Sequence, residues 1–276
     1  MADQKAGKTA LGAAHTLFAR GAHRLSRSPA GKRLLDVVSR SVTIQRLTLG
    51  GPNPIRAWDD DPLFQALLVD VRRLSLNRPP SLFNLYQLAS AVRHLPGDIA
   101  EVGVYKGGTG RLLAQVFAGT GKKIFLFDTF AGMPDAVDPT VEDWKPGDFA
   151  DTSLEAVRAA VAPWPEVSCV PGRFPETADA VAGRRFCLAH VDVDIQQSVR
   201  DCCDFFYPRL VPGGMLVLDD YGFRSCVGAR RAVDEFVADK PERVLYLPTG
   251  QGVVIRSPRP DDAALATTAA AEAQGD

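Results

Sequence analysis

The chain has 276 residues, 46% of them hydrophobic and 24% charged, with 32 basic against 33 acidic side chains. Such a composition supports a substantial core, and the near-zero net charge gives no electrostatic case for a nucleic-acid partner. No run approaches the roughly 18 apolar residues of a membrane span. The first residues are basic but have no apolar stretch of the secretory type, so a cytoplasmic protein is expected.

The chain begins with an uneven charge distribution. Residues 1–50 carry nine Lys or Arg against Asp3 and Asp36. Leu11, Phe18, Ala22 and Leu25 recur there at helical spacing, as do Leu34, Leu35, Val38 and Val42. Residues 1–58 therefore read as a partly mobile basic helical arm with a solvated face. Contact with a partner subunit or an anionic surface is the other reading. Two amphipathic helical stretches follow, at residues 62–76 and 81–95, the second closed by Pro96-Gly97.

From residue 98 the pattern alternates. A strand at 98–104 passes through glycines into a helix at 109–117, and a strand at 123–127 opens into a Gly/Pro/Asp-rich loop at 129–152. A helix starts at Ser153, whose hydroxyl and the following Glu155 suit a helix start. Strands at 167–170 and 186–191 come next, then a helix at 197–207. Pro212-Gly213-Gly214 leads into a strand at 215–218, and a helix at 227–237 follows. The last strands, 244–247 and 252–255, are too close for a crossover helix and should pair as a hairpin with one strand antiparallel. This alternation predicts an α/β fold: a doubly wound seven-stranded sheet, mostly parallel, with the N-terminal helices added. The domain should span residues 59–256, and the Ala/Thr/Asp/Pro-rich stretch at 257–276 reads as a disordered tail.

Cys169, Cys187, Cys202, Cys203 and Cys226 include no C-x-x-C pair, which disfavours zinc and disulfide frameworks. They read as small core residues in a reducing compartment, with Cys202 and Cys203 on one helix.

Ligands of such sheets bind outside the carboxyl ends of the strands, so the residues there carry the functional reading. At the first end stand Glu101, Gly103, Tyr105, Gly107 and Gly108. Glycines between strand and helix let a ligand approach the backbone, but the spacing is not that of nicotinamide binders. Glu101 would suit a cation better than a pyrophosphate. Asp128 ends the second strand, where an acid hydrogen-bonds the ribose of an adenosine ligand. Asp192 and Asp194 end one strand, and Asp219 and Asp220 end the next. Four uncompensated carboxylates in one region are costly, so a hard divalent cation is expected among them, Mg²⁺ first and Mn²⁺ or Ca²⁺ as alternatives. Any one of these acids alone could be a helix cap. His190 shares the strand parity of Asp192 and reads as a satisfied core residue.

These residues fall within an ordered set: EVGVYKGG at 101–108, FDTFAGMP at 127–134, GRFPET at 172–177, HVDVD at 190–194 and YPRLVPGGMLVLDDY at 207–221. The set, with Phe149 and residues 153–157, resembles the macrocin O-methyltransferase (TylF-type) family over about residues 80–256. These are class I S-adenosylmethionine-dependent, Rossmann-like enzymes that methylate sugar hydroxyls on natural products such as antibiotics. The resemblance implies that Glu101, Gly103, Tyr105 and Gly107 hold the amino-acid end of the methyl donor, with Asp192 beside it. It implies Asp128 for the ribose, Ser153 near the adenine, Asp192, Asp219 and Asp220 as metal ligands, and Asp194 as general base. Where the family has Tyr two positions after the second acid, this chain has Gln196, a side chain expected to face the acceptor. The expected partners are a sugar-containing small molecule and further copies of the chain, as a homodimer or higher homo-oligomer. A catechol-type O-methyltransferase and a non-catalytic donor-binding protein are the competing readings. A nucleotide-binding oxidoreductase is disfavoured by the glycine spacing.

Overall fold

The computed structural model describes residues 56–134, 143–260 and 262. The basic arm and the polar tail lie almost wholly outside the described residues. Contacts group the chain from Ala57 onward into one unit.

Three helices lead into the sheet: α1 (Ala57–Asp60), α2 (Pro62–Val71) and α3 (Pro79–Val92). Asp61 caps α2 by accepting from Phe64 N at 2.9 Å, and prolines open both α2 and α3, where no backbone donor is needed. β1 (Asp98–Val102), α4 (Gly108–Phe117), β2 (Ile124–Asp128), α5 (Leu154–Val161), β3 (Val167–Pro171) and β4 (Phe186–Val191) then alternate. They are followed by α6 (Gln196–Phe206), β5 (Leu210–Leu218), α7 (Val227–Val237), β6 (Leu245–Tyr246) and β7 (Gly252–Ile255). The sheet order is β3-β2-β1-β4-β5-β7-β6. All pairs from β3 to β5 are parallel, and β7 runs antiparallel to both β5 and β6. The fold is the predicted seven-stranded doubly wound sheet, with the expected terminal hairpin.

Strand alternation divides the core into two layers. Ile99, Leu126, Leu188 and Val217 pack with Phe64, Leu82, Leu112 and Val157 on the side of α2–α5. Ala100, Phe127, Ala189, Val191 and Leu218 pack with Phe206 and Phe236 of α6 and α7. Every residue of β4 is buried, as expected of the central strand of a two-faced sheet.

Besides α2, which ends at Val71 rather than at residue 76, two local expectations change. β5 begins at Leu210 rather than at residue 215, because the chain through Pro212-Gly213-Gly214 stays paired: Gly213 N donates to Arg256 O at 2.8 Å and Arg256 N to Gly214 O at 2.9 Å. The stretch after β3, read as a loop, holds a 3₁₀ turn at Ala178–Val181 whose Ala178 and Val181 plug the α6 side of the core.

Candidate active site

The end of β1 meets the end of β4 at very short range. A Cβ on Gly103 would lie 1.8 Å from the carbonyl oxygen of Asp192, and the residue has φ +87°, so only glycine serves there. The glycine turn thus brings two strand tips together as well as opening α4. Gly107, at φ +84°, is the N-cap of α4 and packs against Val157.

Asp128 closes the same turn from the β2 side. Its Oδ2 accepts from Val104 N at 2.7 Å and from Tyr105 N at 2.9 Å, and its Oδ1 from Phe130 N at 2.7 Å. Tyr105 turns its hydroxyl to Asp151, which also pairs with Lys106. Ser153 caps α5, accepting from Ala156 N at 3.2 Å. It is not among the residues lining the central cavity, although the hydroxyl of neighbouring Thr152 donates to Tyr105 O.

The acids at the tips of β4 and β5 are sorted into two groups, which divide the expected metal set of Asp192, Asp219 and Asp220. One contains His190, Asp192 and Asp219, and the other Asp194, Asp220 and Cys226; within each, ligand atoms lie within 4.8 Å of one another. Asp194 N donates to Asp220 Oδ2 at 2.8 Å, and the Cys226 thiol, kept neutral by burial, donates to Asp194 Oδ1 at 3.4 Å. His190 is fully buried, with Nδ1 2.9 Å from Glu101 Oε1 and Nε2 3.4 Å from Asp219 Oδ1. Burial alone would favour the neutral ring. The hydrogen bonds and charges of Asp219 and Glu101 outweigh it and hold the imidazole pKa at about 10. The imidazole thus bridges Glu101 and Asp219, while Asp194 and Asp220 form a separate group. Asp192 and Asp220 are both held well above the usual carboxylate range by burial and then by the neighbouring acids.

These groups open into a cavity of about 360 Å³. Asp128, Asp192, Asp194, Asp219 and Asp220 line it, with Tyr105, Trp144, Phe149, Phe174 and Phe223 supplying aromatic wall. The link between α2 and α3 closes one side through Leu74 to Asn77, and Thr129, Gly132, Met133 and Pro134 of the long loop line another. Residues 135–142 of that loop lie outside the described residues. Tyr105, Phe149 and Asp194 have φ of +53°, +65° and +61°, and all three line the cavity. Backbone held in this region by surrounding structure is concentrated at functional sites.

Some participants escape sequence reasoning. Asn77 Nδ2 reaches Asp192 Oδ2 at 3.4 Å, and Gln251 Nε2 donates to Asp219 Oδ1 at 2.8 Å. Arg173, the one cationic residue among those lining the cavity, has a buried Nε with no hydrogen-bond partner among the described residues. Gln196, expected to face the acceptor, starts α6 outside the lining, where Ile195 and Ser198 form the wall. At the start of a helix, successive side chains diverge by about 100°, so one position decides which faces the cavity.

The sheet thus gathers a glycine turn and the acids of two adjacent strand tips around one cavity. The sequence model of the family described as macrocin-O-methyltransferase (TylF) matches residues 79–243. The chain belongs to that family. It is 27% identical over 223 residues to the 8-demethyl-8-(2,3-dimethoxy-alpha-L-rhamnosyl)-tetracenomycin-C 4'-O-methyltransferase of Streptomyces olivaceus, covering 74% of this chain and 81% of that one. It is 26% identical over 195 residues to the mycinamicin III 3''-O-methyltransferase of Micromonospora griseorubida, covering 64% and 72%. Among solved structures, the O-methyltransferase NovP superposes with a TM-score of 0.54 at 24% identity, over 64% of this chain and 79% of that chain. The calicheamicin methyltransferase CalS11 gives 0.56 at 21% identity, over 79% and 92%. Both share the fold. No helix among the described residues is long and apolar enough to cross a membrane.

Proposed function

We propose that the chain transfers the methyl group of S-adenosylmethionine to a sugar hydroxyl of a glycosylated natural product, with a divalent ion, Mg²⁺ or Mn²⁺, at the strand tips. The observation that carries the reading is that Asp192, Asp219 and Asp220, two of them buried, line one cavity at the ends of β4 and β5. An all-oxygen donor set of this kind suits a hard divalent ion, and Asp192, Asp219 and Asp220 would hold it. The donor fits as well: among the described residues the buried Glu101 Oε2 has no hydrogen-bond partner, an acceptor in want of a group such as an ammonium. Glu101, Gly103, Tyr105 and Gly107 would frame that end of the donor, and Asp128 its ribose. The base would then extend toward the β3 side, where Gly172, Arg173 and Phe174 form the wall and Ser153 stands nearby at the start of α5.

A bound divalent ion supplies a positive field that makes an acceptor hydroxyl easier to ionise. Asp194, fixed by its own amide on Asp220 and by the Cys226 thiol, takes the hydroxyl proton. As it does so, the oxygen–methyl bond forms and the methyl–sulfur bond breaks, which neutralises the sulfonium. The aromatic wall excludes water and aligns oxygen, methyl carbon and sulfur. The relatives' sugar-bearing substrates support a sugar acceptor, and residues 59–256 are taken as the catalytic domain of a cytoplasmic homo-oligomer.

The test is a methyl-transfer assay over glycosylated and catechol acceptors, with Mg²⁺ and with chelator. Turnover on a glycoside that stops in chelator is expected. Turnover undiminished by chelator would remove the ion, and turnover on catechols alone would remove the sugar.

A further inference from the structure

We infer that Gln251 is a positioning residue that ties back one oxygen of Asp219 and thereby presents the other to the cation site; the inference rests on the divalent-ion reading above. Gln251 is 1% exposed, sits immediately before β7, and lies beyond the 79–243 span that matches the family.

The amide has one possible orientation. Its Oε1 accepts from Asn84 Nδ2 at 3.0 Å and from Thr249 Oγ1 at 2.9 Å. Its Nε2 lies 3.2 Å from Ser81 O, a backbone carbonyl that can only accept. A side-chain amide offers two donors and one acceptor oxygen with two lone pairs, and here all are used. The second N–H therefore points to Asp219 Oδ1, at 2.8 Å. His190 Nε2 approaches that same oxygen, at 3.4 Å. Among the described residues no hydrogen bond reaches Oδ2, while Asp219 lines the cavity.

The consequence is chemical. With both contacts on Oδ1, the carboxylate is held as a single-oxygen ligand of fixed direction. Hydrogen bonds to ligand carboxylates from outside the coordination sphere commonly change metal affinity by about 10- to 100-fold. Because Asn84 and Ser81 belong to α3, the hairpin end and α3 jointly aim the acid that follows β5. Asn77 stands in the corresponding place on Asp192, but at 3.4 Å its hold is weaker.

The experiment measures Mn²⁺ binding to the whole protein by electron paramagnetic resonance, together with binding of S-adenosylhomocysteine and melting temperature in chelator. Gln251→Met keeps the bulk and removes the donors; Mn²⁺ affinity should fall about tenfold, with nucleoside binding unchanged. Asn84→Ala leaves Gln251 in place but frees its far end. It should weaken Mn²⁺ by about threefold at an unchanged melting temperature, and it decides the matter should the first variant fail to fold. Wild-type Mn²⁺ affinity in folded Gln251→Met, or in Asn84→Ala if that variant alone folds, overturns the positioning role and leaves the metal reading standing. Absence of Mn²⁺ binding in the unmodified protein overturns both.

Discussion

Two buried polar clusters stand at opposite ends of the same sheet and follow opposite rules. At the amino end of the parallel strands, Glu242 is almost fully buried, and each of its oxygens has its own donor: the Tyr207 hydroxyl on Oε2 and Ser257 N on Oε1 at 2.9 Å. Arg259 completes the group by donating to the Tyr207 hydroxyl at 2.6 Å. At the carboxyl end, Glu101 Oε2 has no hydrogen-bond partner among the described residues, and the one buried imidazole there reaches Glu101 and Asp219. A buried acid that serves the fold is paired until its desolvation is offset. One that serves a ligand is left short of partners, and the folded protein bears the cost until the ligand arrives. The difference says which end of the molecule does chemistry.

Substitutions that remove a single charge at each end test this contrast. Asp192→Asn should have the largest effect: loss of several kcal/mol of transition-state stabilisation, or about 10³-fold in kcat/KM, with donor binding by calorimetry largely kept. Full activity in this variant would show that Asp192 has no catalytic part. Asp194→Asn should lower kcat by about 10²-fold with Mn²⁺ affinity retained, as expected for loss of a proton acceptor alone. An unchanged rate across the pH range would remove that role.

Glu242→Gln should leave turnover unaltered and cost about 2 kcal/mol of stability at neutral pH, since it sets an amide N–H against a donor already in place. Its pH dependence has a definite sign. Burial alone would raise the Glu242 pKa, but the donors from Tyr207 and Ser257 outweigh it and hold the group below its usual 4.5. A depressed acid contributes stability above its unfolded value and loses it as pH falls through the folded one. Urea unfolding of the parent between pH 6 and 3 should therefore show a loss that Glu242→Gln lacks. Parallel curves would place the acid sensitivity elsewhere.

The two ends also differ in how far the sequence announces them. Acids inside a run such as HVDVD stand out against hydrophobic strands, and strand order at a doubly wound sheet puts neighbouring tips together. The glycine turn was equally visible, although Gly103 answers to the backbone of Asp192 as much as to any ligand. Asn77 and Gln251 were not legible. They lie 115 and 32 residues from the acids they touch, in segments with no motif of their own. His190 read as a satisfied core residue, which is true of its hydrogen bonds and silent about its charge. Only the juxtaposition of Glu101 and Asp219, set by β1 and β5 flanking β4, makes it an imidazolium. Pro212-Gly213-Gly214 looked like a strand boundary because its propensities are poor. Pairing with Arg256, some 40 residues on, overrides them.

The smallest expected effect discriminates most sharply, because its sign is opposite at the two ends. Asp220→Asn keeps an oxygen to accept from Asp194 N, which the carboxylate now does at 2.8 Å. It removes a buried acid whose pKa is raised by burial and then by the neighbouring carboxylates. In chelator the variant should therefore be more stable than the parent by about 1 kcal/mol, the usual reward for relieving an active site of its strain. Saturating Mg²⁺ should reverse the order, because an ion that binds the native state stabilises it by RT ln(1 + [L]/Kd), and the variant has lost a ligand. Thermal unfolding of both proteins in chelator and in Mg²⁺ measures the crossing. If Asp220→Asn is the less stable protein in chelator, the carboxylates at the strand tips are paired as well as Glu242 is, and the contrast between the two ends of the sheet disappears.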